Sequence, residues 1–248
     1  DVPNNNSLHP AGHARIDTSI RWQKKTKDGV ELASNYGLLR IIPVTDSVIR
    51  VSFVKGHEGT AFSDDYEWIH TKPTQECSDA GISLNKPKWL YKEMKDAVAI
   101  ATDNLAIKVE KKTGAVKFFT RSGKPILSER EKEPRQISTD SNSQTWMFFD
   151  FKKNEKLWAR GMASTELIPL EMKARYISYG NETMRMPLLV SSLGYGIAVA
   201  SKNNVMCCNI AMYGKYLSVE GSNQIDYYFM YGETKEKVAQ MHKFLATK

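Results

Sequence analysis

Three cysteines, Cys77, Cys207 and Cys208, are few for a chain of 248 residues, and none stands in a Cys-x-x-Cys spacing. That pattern argues against a disulfide framework and against a zinc site, which needs closely spaced ligands. Free thiols point towards a reducing, cytoplasmic setting. The sequence starts Asp1-Val2-Pro3, without an initiator methionine or an apolar signal core, so an export signal is expected either to have been removed or never to have existed, and export stays open. No run of about 18 apolar residues occurs, so no membrane-spanning helix is expected. Glycine-rich phosphate loops are absent too, because the "GYG" of Gly194 to Gly196 opens a strand and not a helix. Ser191 and Ser192 lack a Gly-x-Ser-x-Gly elbow and a visible His/Asp pair. The five histidines (His9, His13, His57, His70 and His242) fall near the start, in irregular segments or on the last helix. None lies on an expected core strand, where acid/base chemistry would be rigidly held. The net charge of +7 is scattered over pairs such as Lys24-Lys25, Lys111-Lys112 and Lys152-Lys153. No basic stripe interleaved with aromatics appears, so nucleic acid is not an expected partner.

What the chain does have is a hydrophobic content of 41%, with 10% aromatic residues, arranged with a period of two. "LLRIIPV" and "SVIRVSFV" (Leu38 to Val44, Ser47 to Val54) flank the polar pair Thr45-Asp46 and predict a hairpin. After an irregular stretch from His57 to Lys88, broken by Gly59, Pro73, Gly81 and Pro87, short strands resume at Ala97 with Gly or Asn in each break. Evenly spaced short strands and turns predict an all-β antiparallel sandwich. The charged interval "SEREKEPRQIST" (Ser128 to Thr139) reads as a surface loop, and residues 1–248 as one domain.

Two segments break the monotony. In "MRMPLLVSSLGYGIAVAS" (Met184 to Ser201) a Ser/Gly turn joins two apolar runs. Tyr195, Ile197 and Val199 alternate there with Gly196, Ala198 and Ala200, so a bulky face lies back to back with a small one and both are expected to be covered. The small face admits close packing by a further layer. Near the end, "ETKEKVAQMHKFLATK" places Val238, Met241, His242 and Leu245 at i, i+3, i+4 and i+7. This predicts one amphipathic helix over 233–246, with Thr234 as its cap.

The "P-x-x-x-S-S-x-G-Y-G" hairpin and "IDYYFMYG" (Ile225 to Gly232) carry a resemblance when taken in order with "LLRIIPVTDSVIRVSF" and "VAIATDNLAIKVEKKTGAVKFFTRSGKPILSE". The chain resembles the N-terminal β-sandwich of family 31 glycoside hydrolases, the α-glucosidase and α-xylosidase family. The resemblance spans about Arg15 to Lys248 and implies a galactose-mutarotase-like supersandwich with one C-terminal amphipathic helix. It also implies that the helix leads to a (β/α)8 catalytic barrel, with "KFLATK" similar to the start of that junction. The chain departs from the family at "LWARGMAS" (Leu157 to Ser164), which keeps Gly161 but has Met162 where the family carries a glutamate.

Retaining glycosidases need two carboxyl groups about 5 Å apart. The family takes both from its barrel, and no stretch here matches the segment that holds its nucleophile, so no catalytic residue, metal or cofactor is expected in this chain. The resemblance implies a substrate-shaping segment instead, with Trp158, Arg160, Gly161, Met162, Arg175 and Tyr179 as its candidates. Freed from a barrel, the loop from Gly161 to Asn181 is expected to be mobile. Flat rings stack on sugar faces, and Trp68 and Trp89, both in polar stretches, are the candidates for an exposed platform. The partners implied are the barrel and an α-linked oligosaccharide. A free-standing carbohydrate-binding module and a small mutarotase-like enzyme are the other readings.

Overall fold

Period-two patterning becomes sheet in the computed structural model, which describes residues 14–57, 59–62, 75–138, 143–160, 166–178 and 186–245. In chain order the strands are β1 (Ala14–Arg15), β2 (Trp22–Lys25), β3 (Val30–Ala33), β4 (Gly37–Thr45), β5 (Val48–Lys55), β6 (Leu90–Glu93) and β7 (Ala97–Ala101). They continue with β8 (Leu105–Glu110), β9 (Val116–Thr120), β10 (Pro125–Ser128), β11 (Arg135–Ile137), β12 (Gln144–Phe148), β13 (Leu157–Arg160) and β14 (Ile168–Pro169). The last six are β15 (Ala174–Ser178), β16 (Leu188–Ser191), β17 (Tyr195–Val199), β18 (Val205–Cys208), β19 (Tyr216–Glu220) and β20 (Gln224–Tyr231). A short helix covers Gln75–Asp79 and a longer one Lys235–Leu245.

These strands form three antiparallel sheets. A nine-stranded sheet runs β14-β13-β16-β17-β20-β5-β4-β3-β2, a six-stranded one β1-β11-β12-β19-β18-β15, and a five-stranded one β10-β9-β8-β7-β6. Alternation in the central strands of the nine-stranded sheet divides its two faces. Ile49, Val51 and Phe53 of β5, Ile197 and Val199 of β17, and Ile225, Tyr227 and Phe229 of β20 join a single core with residues of both other sheets. Phe118 of β9 stacks on Phe229 with ring centroids 4.0 Å apart, and Tyr227 meets Phe149 edge-on at 5.7 Å. The alternate residues Val48, Leu188, Val190, Ala198, Tyr228 and Met230 form the opposite face, which the long helix covers through Val238 and Met241.

The layer expected over the small face of the hairpin is that helix. A Cβ on Gly196 would come within 2.5 Å of the Val238 side chain, so only glycine lets the helix settle to this depth. Gly194, at φ +81°, meets the carbonyl of Glu233 with no room for a side chain, and its own carbonyl accepts from the Gly232 N–H at 2.9 Å. The hairpin turn is thereby docked on the junction between β20 and the helix. Thr234 caps the helix, its hydroxyl accepting from the Lys237 N–H at 3.2 Å.

Three expectations need correction. The interval Ser128 to Thr139 is not simply a surface loop: Glu129 and Arg135 are fully buried and Arg135–Ile137 is β11. The irregular stretch before Lys88 contains the helix Gln75–Asp79, whose Cys77 is buried. Between Gly161 and Asn181, residues 168–169 and 174–178 are strands, and Ala174–Ser178 is held in the six-stranded sheet through β18.

Candidate functional site

Of the residues in the expected substrate-shaping segment, Trp158, Arg160 and Arg175 are described. Gly161, Met162 and Tyr179 lie outside the described residues, as does Trp68 of the expected aromatic platform. Trp158 and Arg160 sit on β13, on the face that meets the long helix. Trp158 is half-buried, with the Lys235 ammonium 4.1 Å from its ring centroid. Arg160 is buried and spans the seam between sheet and helix. Its guanidinium lies 2.6 Å from His242 Nδ1 and donates to the Ala239 carbonyl at 3.3 Å, while His242 Nε2 lies 2.7 Å from the Met186 carbonyl. Arginine carries only donors, so Nδ1 accepts and Nε2–H donates to Met186, which fixes a neutral imidazole. Arg160 thus holds the helix and does not face solvent.

Arg175, half-buried on β15, pairs in register with Cys207. Trp89 is half-buried against the core, with the Lys25 ammonium 5.1 Å from its centroid, so it is no bare platform. Ile168 and Met172, in the same segment as β15, are exposed, Met172 by 84%. The helix runs from Gly194 and Tyr231 at one end of the nine-stranded sheet to Arg160 and Met186 at the other. Its last turn therefore lies at the end of the sheet where β13 stops at Arg160.

The opposite end holds a cleft of about 450 Å³. Three hairpin turns, residues 81–83 after the short helix, the β20–helix junction and the long helix line it. Asp46 and Ser47 come from the β4–β5 turn, Asp103 and Asn104 from β7–β8, Arg121 and Ser122 from β9–β10, and Tyr231 and Glu233 from the junction. Lys237 and Met241 come from the helix. The turns brace one another. Asp103 N–H donates to Asp46 Oδ1 at 3.3 Å, Asn104 Nδ2 to Ser47 Oγ at 2.8 Å, and the Thr102 hydroxyl to the Asp46 carbonyl at 2.7 Å. Arg121 donates to the Thr102 carbonyl at 3.3 Å. Burial and the Glu233 carboxylate push the Tyr231 phenol up, so it is a protonated donor at neutral pH. The sequence marks each turn, but nothing in it tells that these turns converge, and so the cleft was missed.

Two buried acids lie elsewhere, each matched to an arginine. Glu129 accepts from Arg135 at 3.0 Å, from the Val116 N–H at 2.9 Å and from the Tyr227 hydroxyl at 2.7 Å, and Arg135 also donates to the Gly114 carbonyl. Its partners come from β11, β9 and β20, one strand of each sheet, so this cluster ties all three layers together. Burial pushes the Glu129 carboxyl up, against the pull of Arg135. On the helix side of the large sheet, Asp226 takes a bidentate pair from Arg50 at 3.0 and 2.6 Å and a bond from the Ser52 hydroxyl at 2.8 Å. Apart from Arg135 Nε, which is buried without a hydrogen-bond partner among the described residues, the polar atoms of these clusters bond to one another and serve packing.

No family model matches the sequence, and no curated protein matches it. Solved structures do. The chain is similar to a GH31 dextranase from Flavobacterium johnsoniae complexed with glucose, with a TM-score of 0.69 and 18% identity over 93% of this chain and 28% of that one. A GH31 α-xylosidase from a soil metagenome, complexed with xylose, gives 0.66 and 18% over 91% of this chain and 34% of that one. The cycloalternan-forming enzyme of Listeria monocytogenes, in complex with a pentasaccharide substrate, gives 0.65 and 15% over 87% and 21%. The chain thus spans about a fifth to a third of the length of these three enzymes. Its three antiparallel sheets and closing helix have the fold of a part of family 31 glycoside hydrolases.

Proposed function

We propose that this chain is the non-catalytic N-terminal domain of a family 31 α-glycosidase acting on α-glucosides or α-xylosides. It supports a (β/α)8 barrel in the same polypeptide and helps to shape the sugar site. One observation carries the reading: 93% of the chain aligns with only 28% of the dextranase, so the entire layered fold corresponds to a fraction of a longer enzyme. The geometry of one rim supports it. The last turn of the helix and the end of β13 at Arg160 lie at the same end of the large sheet, and Ile168 and Met172 further along the chain expose apolar side chains that a barrel would cover. Trp158, Gly161, Met162, Arg175 and Tyr179 remain the substrate-shaping residues of this reading. Arg160 contributes by anchoring the helix that leads to the barrel.

Two measurements test the reading. The 248-residue chain is expected to leave aryl α-glucosides and aryl α-xylosides intact, and turnover lost on changing one of its own carboxylates would overturn the assignment. The transcript is expected to read on past Lys248 into a barrel, and a stop codon at that point would overturn it equally.

A further inference from the structure

The cleft at the far end of the large sheet is unused by this function. Its volume of about 450 Å³ lies within the roughly 300–1,000 Å³ usual for small-molecule sites. It is held rigid by bonds between its own turns, from Asp103 to Asp46, Asn104 to Ser47 and Arg121 to Thr102, so ordering it for a ligand costs little. Four lining side chains remain uncommitted. Among the described residues, those of Asp103, Tyr231, Glu233 and Lys237 make no hydrogen bond or ion pair.

Glu233 also stands at φ +68°, a conformation that costs a non-glycine residue roughly 1–3 kcal/mol. Glycine would hold the same junction without that cost. Charge decides the class of ligand. Asp46, Asp103 and Glu233 oppose an anion, while Arg121 and Lys237 oppose a cation. A neutral molecule rich in hydroxyls satisfies donors and acceptors together, and Tyr231 with Met241 offers an apolar side for its C–H face.

We propose that this cleft binds a neutral polyhydroxylated ligand, the end of an α-linked oligosaccharide, its sugar class resting on the function proposed above. The test is a titration of the ¹⁵N-labelled 248-residue chain with isomaltotriose and maltotriose. Saturable shifts are expected at Asp103, Asn104, Gly232 and Lys237. Asp103→Ala and Glu233→Gly are each expected to weaken binding at least tenfold. Thermal unfolding should be unchanged in the first and unchanged or raised in the second, a combination that a purely structural role of Glu233 would not give. Three results would overturn the inference: no saturable shift up to about 20 mM sugar, well beyond a millimolar Kd; shifts confined to another surface such as that around Trp89; or variants that bind like the parent chain. A null titration of an inactive chain whose transcript runs into a barrel would remove the cleft and leave the domain assignment standing. Binding by a chain whose reading frame stops at Lys248 would do the reverse.

Discussion

Glu129 and Arg135 show how far a residue's role can depart from its local company. Both lie in a charged, proline-containing interval, and both are fully buried between sheets. Removing one partner leaves the other charged and unpaired in an apolar core, a loss of about 3–5 kcal/mol, whereas replacing both with apolar groups can be nearly neutral. Glu129→Gln is therefore expected to destabilise the chain by about 3 kcal/mol in urea unfolding, and Glu129→Gln with Arg135→Met by clearly less. Additive losses in that cycle would show that the pair is not coupled.

The exposed pair between Lys117 and Glu131, 2.8 Å apart, works in the opposite regime. Its hydrogen bond to Lys117 holds the Glu131 carboxyl below the usual carboxylate range, and the same contact raises Lys117. A lowered folded value for an acid means a contribution present above its unfolded pKa and lost as pH falls through the folded one. For the lysine the contribution is present below its unfolded pKa and lost as pH rises through its raised folded value. Carboxyl NMR should find Glu131 titrating low, and Lys117→Ala should return it to the ordinary range. An unchanged midpoint in that variant would rule out Lys117 as the cause.

At the scale of elements, the union of the hairpin with the long helix explains why the Ser/Gly turn reads as it does. Gly196 is a poor strand former, and in an open strand valine would be better. Here the Val238 side chain occupies the space a Cβ would need. Gly196→Val is expected to cost about 1–3 kcal/mol through overpacking, read as a lower urea midpoint. A stabilised variant would mean that the helix does not pack against this face. The same helix end places Arg160, a candidate of the substrate-shaping segment, against His242 and Ala239, because a docked helix offers a buried guanidinium acceptors that a strand edge does not.

For the whole molecule, the decisive feature is one apolar core shared by three sheets and clasped by the Glu129 cluster. No sheet can leave without exposing the others, so unfolding is expected to be a single cooperative transition. Far-ultraviolet circular dichroism and the fluorescence of buried tryptophan, Trp146 among them, should then change together in urea. Separated transitions would mean that the layers are independent units.

The sequence by itself determined the class of fold. Period-two alternation with glycine and asparagine at the breaks leaves a chain few choices but antiparallel strands, and the i, i+3, i+4, i+7 spacing of Val238, Met241, His242 and Leu245 leaves the last segment only a helix. It determined also that both faces of the 195–199 strand are covered, since neither carries a charged side chain. Which residues meet was decided by tertiary structure alone. Glu129 finds Tyr227 across 98 positions of sequence, and Asp46 finds Asp103 across 57. Local patterning fixes which way each side chain points along its own strand. The stacking of separate sheets, which no local pattern encodes, fixes what it points at, and so brought charges into the core and gathered several turns around one cleft.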